Sequence, residues 1–335
     1  MLVDLGEDAL WRYRSNQSEP HDFDDFWKVT LAASADSPLD VRTAPIDIGL
    51  VNVRVFDFSF RGYEGQRVKG WLLVPAGLAS PAPAVVRFVG YGGGRGNPLE
   101  NLVWPVAGFV QVVMDTRGQG GIRRAGATPD EGGSGPSAPG FLTRGIESPL
   151  NHYYRRLIVD AVRCITATAE LPHVDSDRVA AVGRSQGGGI ALAAAALHPG
   201  VAALVSQVPF LCDIARAITI TNDAPYSEVV EFLATHRGQT EMFLETLSYF
   251  DGANFAPRAT APAWFSAALM DSTCPPSTVF GAYHRYAGDK DMKVWKYNGH
   301  EGGDFDDEQR AIDALRRLFG MTSVSPHSHD LGGNQ

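Results

Sequence analysis

Two spacings of apolar residues alternate along the chain, and the changeovers mark its elements. Residues 51–60, VNVRVFDFSF, and 68–75, VKGWLLVP, alternate apolar with polar side chains, the two-residue period of strands with one wet face. The segment Gly62–Gly65 between them reads as the turn of an antiparallel pair. Residues 83–90, PAVVRFVG, and 109–115, FVQVVMD, are denser in apolar side chains, the pattern of strands covered on both faces. Further strands are predicted at 178–183, 201–210, 262–270 and 292–298. A helical period replaces this pattern at 22–33, where Phe23, Phe26, Trp27 and Leu31 share a side, and again at 148–170, 186–197, 276–287 and 307–320. Residues 226–250 read as two amphipathic helices.

Strand and helix alternate through most of the chain, which predicts an α/β fold with a mostly parallel central sheet and helices on both faces. Residues 121–147, rich in Gly and Pro, form a long loop of the kind that is functional or mobile in a compact domain. The expected organisation is one domain over residues 1–321, with an N-terminal helical arm at 1–48 and a helical insertion near 212–256. Residues 322–335, TSVSPHSHDLGGNQ, read as a disordered tail.

Composition narrows the partners. The chain has 335 residues, 44% of them hydrophobic, enough for a large core, and a net charge of −9. That balance argues against nucleic acid, whose phosphates need a basic footprint. Cys164, Cys212 and Cys274 are odd in number, widely spaced and without a C-x-x-C pair, which disfavours a disulfide framework or a zinc site. The first residues, MLVDLGEDAL, carry acids where a leader would carry bases, and no apolar run reaches membrane-spanning length. A soluble, cytoplasmic protein with no membrane partner is expected.

The candidate chemistry centres on RVAAVGRSQGGGIALAAAALHPG, residues 178–200. A strand-like run meets a helix-like run at Gly183-Arg184-Ser185-Gln186-Gly187, a G-x-S-x-G pattern. In that setting the serine sits on a strained turn with its hydroxyl projecting above the sheet edge. Side chains at 183 or 187 would collide with the crossing strand or helix. The helix that follows points its positive end and free N–H groups at the serine. Taken alone, the same pentapeptide could be a glycine-rich turn whose serine is merely a cap.

A serine needs a base, and the base needs an orienting acid. In α/β hydrolases they follow in the order Ser, Asp or Glu, His. Asp271 ends the apolar run of SAALMDSTCPP, and His300 lies in the loop after VWKYN. Both leave the C-terminal ends of predicted parallel strands, where α/β folds place ligands. Asp115 ends a strand too but precedes the serine, and Asp289, Asp291 and Asp304 lack a strand to aim them. His152, His173, His198, His236 and His284 are rival bases, for which a structural or solvated role is the simpler reading. Two N–H groups must also hold the oxyanion. One is expected from Gln186, the other from the glycine-rich loop GYGGG, residues 90–94; the alternative of a phosphate cradle lacks the Gly-Lys-Ser/Thr that would support it.

These motifs together resemble carbohydrate esterase family seven, the acetyl xylan esterase and cephalosporin-C deacetylase group of the α/β hydrolases. RGQG (117–120), GRSQGG (183–188) and HE (300–301) carry the likeness in order, and GFLTRGIESP, THRGQTE, LETLSYFDGANF and MDSTCPPSTVF extend it over nearly the whole chain. The resemblance implies Ser185 as nucleophile, Asp271 as orienting acid, His300 as general base, and the amides of Tyr91 and Gln186 as oxyanion donors. It implies that Arg117, Gly118, Gln119 and Gly120 brace the site, with a substrate-charge clamp at Arg117 as the alternative. Tyr91, Phe210, Pro225 and Thr273 would line a small acyl pocket, with Thr273 where relatives carry a larger aliphatic residue. It further implies a small acetylated substrate, no cofactor or metal, and a homo-oligomer, a closed hexamer. A peptidase of the prolyl-oligopeptidase type and an inactive hydrolase-fold binding protein are the alternatives.

Overall fold

The computed structural model describes residues 2–132 and 140–321; the tail predicted at 322–335 lies outside them. In chain order the elements are α1 (Glu7–Arg12), α2 (Phe23–Ala35), β1 (Arg42–Ile46), β2 (Val53–Arg61), β3 (Arg67–Pro75), β4 (Ala82–Phe88), α3 (Val103–Val106), β5 (Val110–Met114), α4 (Tyr153–Ala169), β6 (Val174–Arg184), α5 (Gln186–Leu197), β7 (Ala203–Gln207), α6 (Ile214–Ile220), α7 (Tyr226–Thr235), α8 (Thr240–Ser248), α9 (Gly252–Phe255), β8 (Ala263–Ala268), α10 (Pro276–Arg285), β9 (Lys290–Trp295) and α11 (Phe305–Leu318).

The described strands form a nine-stranded sheet in the order β1-β2-β3-β5-β4-β6-β7-β8-β9. The first three pairings, β1 with β2, β2 with β3 and β3 with β5, are antiparallel. Every later pairing is parallel. The sheet is therefore mostly parallel, and its two faces are covered by different helices. Ala84, Val86, Val179 and Ala181 point into the larger core with Leu157 of α4, Ile190 of α5 and Val279 of α10. Their neighbours Val85, Ala180 and Val182 face Ile312 and Leu315 of α11 on the opposite side. A strand buried on both faces must be apolar at nearly every position, which is why these segments lack the alternation of β2 and β3.

Several elements carried no sequence signal. β1 is an edge strand whose residues are nearly all exposed, so no buried face marks it. α1, α3 and α9 have six residues or fewer, too short to show a helical period. Between β7 and β8 the chain runs through α6 to α9, and α2 packs against that segment: the Trp27 indole donates to Tyr249 O at 3.1 Å, and Phe23 meets Phe255 at 5.2 Å. Among the described residues, no helix is long and apolar enough to cross a membrane.

Candidate active site

β6 ends at Arg184 and α5 begins at Gln186, leaving Ser185 alone on the turn with φ 58 and ψ −125. This left-handed conformation costs an L-residue of order 1–3 kcal/mol and persists only when the surroundings enforce it. They do so from three sides. The Ser185 N–H donates to Gln207 O at 2.9 Å, and Ser185 O accepts from Phe210 N–H at 2.9 Å and Gly189 N–H at 3.1 Å. The glycines are steric necessities: a Cβ at 183 would lie 2.1 Å from Gly187 O, and one at 187 would lie 2.2 Å from Phe88 O on β4.

The turn aims the Ser185 hydroxyl at His300, whose Nε2 lies 2.9 Å from Oγ. His300 Nδ1 lies 2.9 Å from Asp271 Oδ2. Asp271 is fully buried, and its other oxygen accepts from the N–H groups of Thr273 at 2.9 Å and Cys274 at 2.8 Å. Asp271 thus accepts a hydrogen bond from the Nδ1–H of His300, which leaves the Nε2 lone pair facing the serine. The Cys274 thiol also approaches this row, with Asp271, Cys274 and His300 offering polar atoms within 4.8 Å of one another. Burial pushes that thiol well above its ordinary range.

Most of the rivals are occupied elsewhere. Asp115 is a buried staple that accepts from Arg95 N–H at 2.7 Å, Ala127 N–H at 2.6 Å and the Thr128 hydroxyl at 2.9 Å. Asp291 pairs with Arg310. His152 caps α4, accepting from Tyr154 N–H and donating to Leu142 O, and burial lowers it to about 4. His198 pairs with Thr166, His236 stacks on Phe232, and His284 donates to Leu10 O.

The two expected oxyanion amides belong to the first residue of α5 and to the loop after β4. Gln186 opens α5, so its N–H has no intrahelical acceptor. The Tyr91 N–H finds no acceptor among the described residues, while the next amide, Gly92 N–H, donates to the Gln119 side chain at 2.7 Å. The Gln119 amide nitrogen also donates to Gln186 Oε1 at 2.9 Å and to the Tyr153 hydroxyl at 3.0 Å. Tyr154 donates to the same Gln186 oxygen. A chain of side-chain amides and phenols thus joins both donor segments from beneath.

Arg117 is fully buried. It makes a two-pronged pair with Asp160 at 2.6 and 2.8 Å, and it reaches Gln66 at 2.6 Å and Asp130 at 3.4 Å. The guanidinium is spent inside the protein, which is the geometry of a brace between loops. Gly118 and Gly120 take φ of +66 and +109, and a Cβ at 120 would lie 2.1 Å from Gly126 N.

Phe210 is fully buried between the rings of Tyr91, at 5.8 Å, and Tyr226, at 4.6 Å. Pro225 is buried at the start of α7 and Thr273 is partly exposed in the turn that holds Asp271. The structure also assigns partners that the sequence did not reveal. Arg184, the variable position of the pentapeptide, donates to His300 O at 2.7 Å. Glu228 of α7 accepts the Tyr91 hydroxyl.

Serine, acid and histidine delivered in that chain order from the ends of parallel strands define the α/β hydrolases, and the sheet and its helices place the chain in that class. Comparison with known proteins narrows the class. A family model described as acetyl xylan esterase (AXE1) matches residues 1–317, and the chain belongs to that family. It is similar to the acetyl xylan esterase from Paenibacillus sp. R4, with a TM-score of 0.87 at 35% identity over 92% of this chain and 99% of that one. The acetyl xylan esterase 1 from Thermoanaerobacterium sp. gives 0.86 at 31% identity over 94% and 99%. The acetyl esterase Axe7A of Xylanibacter ruminicola is 27% identical over 302 residues; these are 89% of this chain but only 66% of that relative's length.

Proposed function

We propose that the protein is a serine esterase that removes acetyl groups from small acetylated substrates, acetylated xylo-oligosaccharides and other acetylated sugars foremost and cephalosporin C by the same chemistry. The observation that carries the reading is the hydrogen-bonded row from Ser185 Oγ through His300 to Asp271, each step 2.9 Å, on a strained turn between strand and helix. Family membership and the esterase names of the relatives support the acetyl ester as substrate.

In the proposed reaction His300 Nε2 takes the Ser185 proton as Oγ bonds to the acetyl carbonyl carbon. The carbonyl electron pair moves onto oxygen, which the Tyr91 and Gln186 amides hold; one such donor contributes roughly 3–4 kcal/mol to the transition state. The pair returns, the bond to the sugar oxygen breaks, and the His300 proton passes to that oxygen. Water then loses a proton to the same nitrogen as it bonds to the acyl carbon; the bond to Ser185 Oγ breaks, the His300 proton returns to Oγ, and acetate is released. The chain's own residues supply every proton transfer. Assembly as a closed hexamer, which would admit oligosaccharides and exclude polymers, is proposed from the resemblance; light scattering at six times the chain mass is the expected result.

Hydrolysis of p-nitrophenyl acetate tests the reading. The protein should release p-nitrophenol, and Ser185→Ala should lose about ten-thousand-fold or more in kcat. Equal activity of the two proteins, or turnover of a prolyl nitroanilide in preference to short acyl esters, would refute it.

A further inference from the structure

Glu228 lies on α7, in the helical segment between β7 and β8, and is buried at 8% exposure. Both of its oxygens lie 2.7 Å from the Tyr91 hydroxyl. Oε2 also faces the N–H groups of Phe141 at 3.2 Å and Leu142 at 3.4 Å, and the Phe141 N–H reaches the Tyr91 oxygen at 2.6 Å. Three segments distant in sequence therefore converge on one carboxyl: the loop after β4, the segment 140–142 and α7. The site is built around that group. Gly140, at φ +124, would place a Cβ 2.0 Å from Glu228 Cδ, so a side chain there is incompatible with the carboxyl.

A buried carboxylate is costly unless its oxygens are filled, and this one has no ion pair among the described residues. The titratable groups acting on it or responding to it are Tyr91, Tyr154 of α4 and Glu231 of its own helix. Tyr153 of α4 acts on Tyr91. The nearby guanidinium of Arg144 lies over the Phe141 ring at 4.6 Å instead. An acid placed here at such cost, with a single side-chain hydrogen-bond partner among the described residues, points to that partner. Tyr91 carries one of the proposed oxyanion amides, and its backbone is already held on one side by the bond from Gly92 N–H to Gln119. The ring tip is its other anchored end, held by Glu228 and the Phe141 N–H.

We propose that Glu228 is a positioning residue for the oxyanion loop: it holds the Tyr91 hydroxyl against α7 and thereby fixes the direction of the Tyr91 N–H beside Ser185. This rests on the esterase reading above. It gives the helical insertion a role in catalysis, since α7 carries the acid that completes the loop's anchoring.

The test compares wild type, Tyr91→Phe, Glu228→Gln and the double variant on p-nitrophenyl acetate, each assayed well below its own melting midpoint. Tyr91→Phe keeps the ring and the amide and removes only the hydroxyl. Glu228→Gln keeps the shape but turns one acceptor into a donor facing two N–H groups. Each single variant should lose about tenfold or more in kcat, less than the roughly 10²–10³ expected for complete removal of an oxyanion donor, with KM nearly unchanged. The double variant should lose no more than the worse single one, because both act through the same bond. Wild-type kcat in either single variant, losses that multiply, or losses confined to KM would overturn the proposal. An active wild type with two unimpaired variants sinks this inference alone; an inert wild type sinks the esterase reading and this inference with it.

Discussion

Replacing Arg184 by Met keeps the length of the side chain and removes its charge and donors. The guanidinium makes two contacts in the loop that carries His300. Nη2 donates to His300 O at 2.7 Å, and Nη1 lies 3.4 Å from Asp304 Oδ1. The ion pair is open to solvent, with side-chain exposures of 36% and 60%, so it contributes about 0–1 kcal/mol. The bond to the carbonyl is charge-assisted and, discounted for the exposure of the arginine, contributes about 1.5 kcal/mol. The loop itself stays folded without it. Glu301 accepts from Gly299 N–H and the Asn298 side chain, and Gly303 N–H donates to Asp307. The loss therefore falls on how often His300 faces Ser185, and about 1.4 kcal/mol there is tenfold in rate. Arg184→Met should lower kcat on p-nitrophenyl acetate about tenfold while the melting midpoint falls by only a few degrees. Asp304→Asn, which removes the ion pair and leaves the carbonyl bond, should stay within about twofold of wild type. An Arg184→Met enzyme with full kcat, or an Asp304→Asn enzyme as impaired as Arg184→Met, would refute the reasoning.

Removing Arg117 by Arg117→Met strands the buried Asp160 carboxylate and should cost about 3–5 kcal/mol, read as a fall in the urea midpoint; Arg117→Lys should recover little of it, because an ammonium cannot reproduce the two-pronged pair, and full recovery would contradict this account of the brace. Burial raises the Glu228 carboxyl from its ordinary 4.5 to about 7, so between those values the folded protein binds more protons than the unfolded chain. Its contribution to stability is greatest below pH 4.5 and is lost as pH rises through about 7, a change of about 3 kcal/mol at most. Urea titrations should show wild type losing ground to Glu228→Gln between pH 5 and about 8, and parallel pH profiles would count against it.

The sequence makes local geometry legible and leaves distant partnerships dark. Ser185 announced itself because a strained turn needs glycine at 183 and 187, and those glycines are visible as letters. Asp271 and His300, which the fold sets in one row with Ser185, are legible by chain order and by their places after apolar runs, both of which survive in one dimension. The rivals' own roles needed coordinates: chain order sets His152 aside, but nothing in the letters shows it to be a buried helix cap. Arg184 looked like the free position of a pentapeptide because its partner is a backbone carbonyl more than a hundred residues away. Glu228 sits in a helix whose apolar stripe suggests that the acid faces water, and only the meeting of α7 with the Tyr91 loop buries it. Arg117 was expected to brace something, but its partner Asp160 lies inside α4, where an acid reads as a solvated face. β1 stayed hidden because an edge strand with exposed side chains carries no alternation.

The most direct test of the account is covalent labelling of the nucleophile. Treatment with an alkyl fluorophosphonate, followed by peptide mapping, should place a single adduct on Ser185 in proportion to the esterase activity lost, and His300→Ala should label far more slowly. An adduct on another residue, or full inactivation with Ser185 unmodified, would contradict the claim that the hydroxyl presented by this turn carries the reaction.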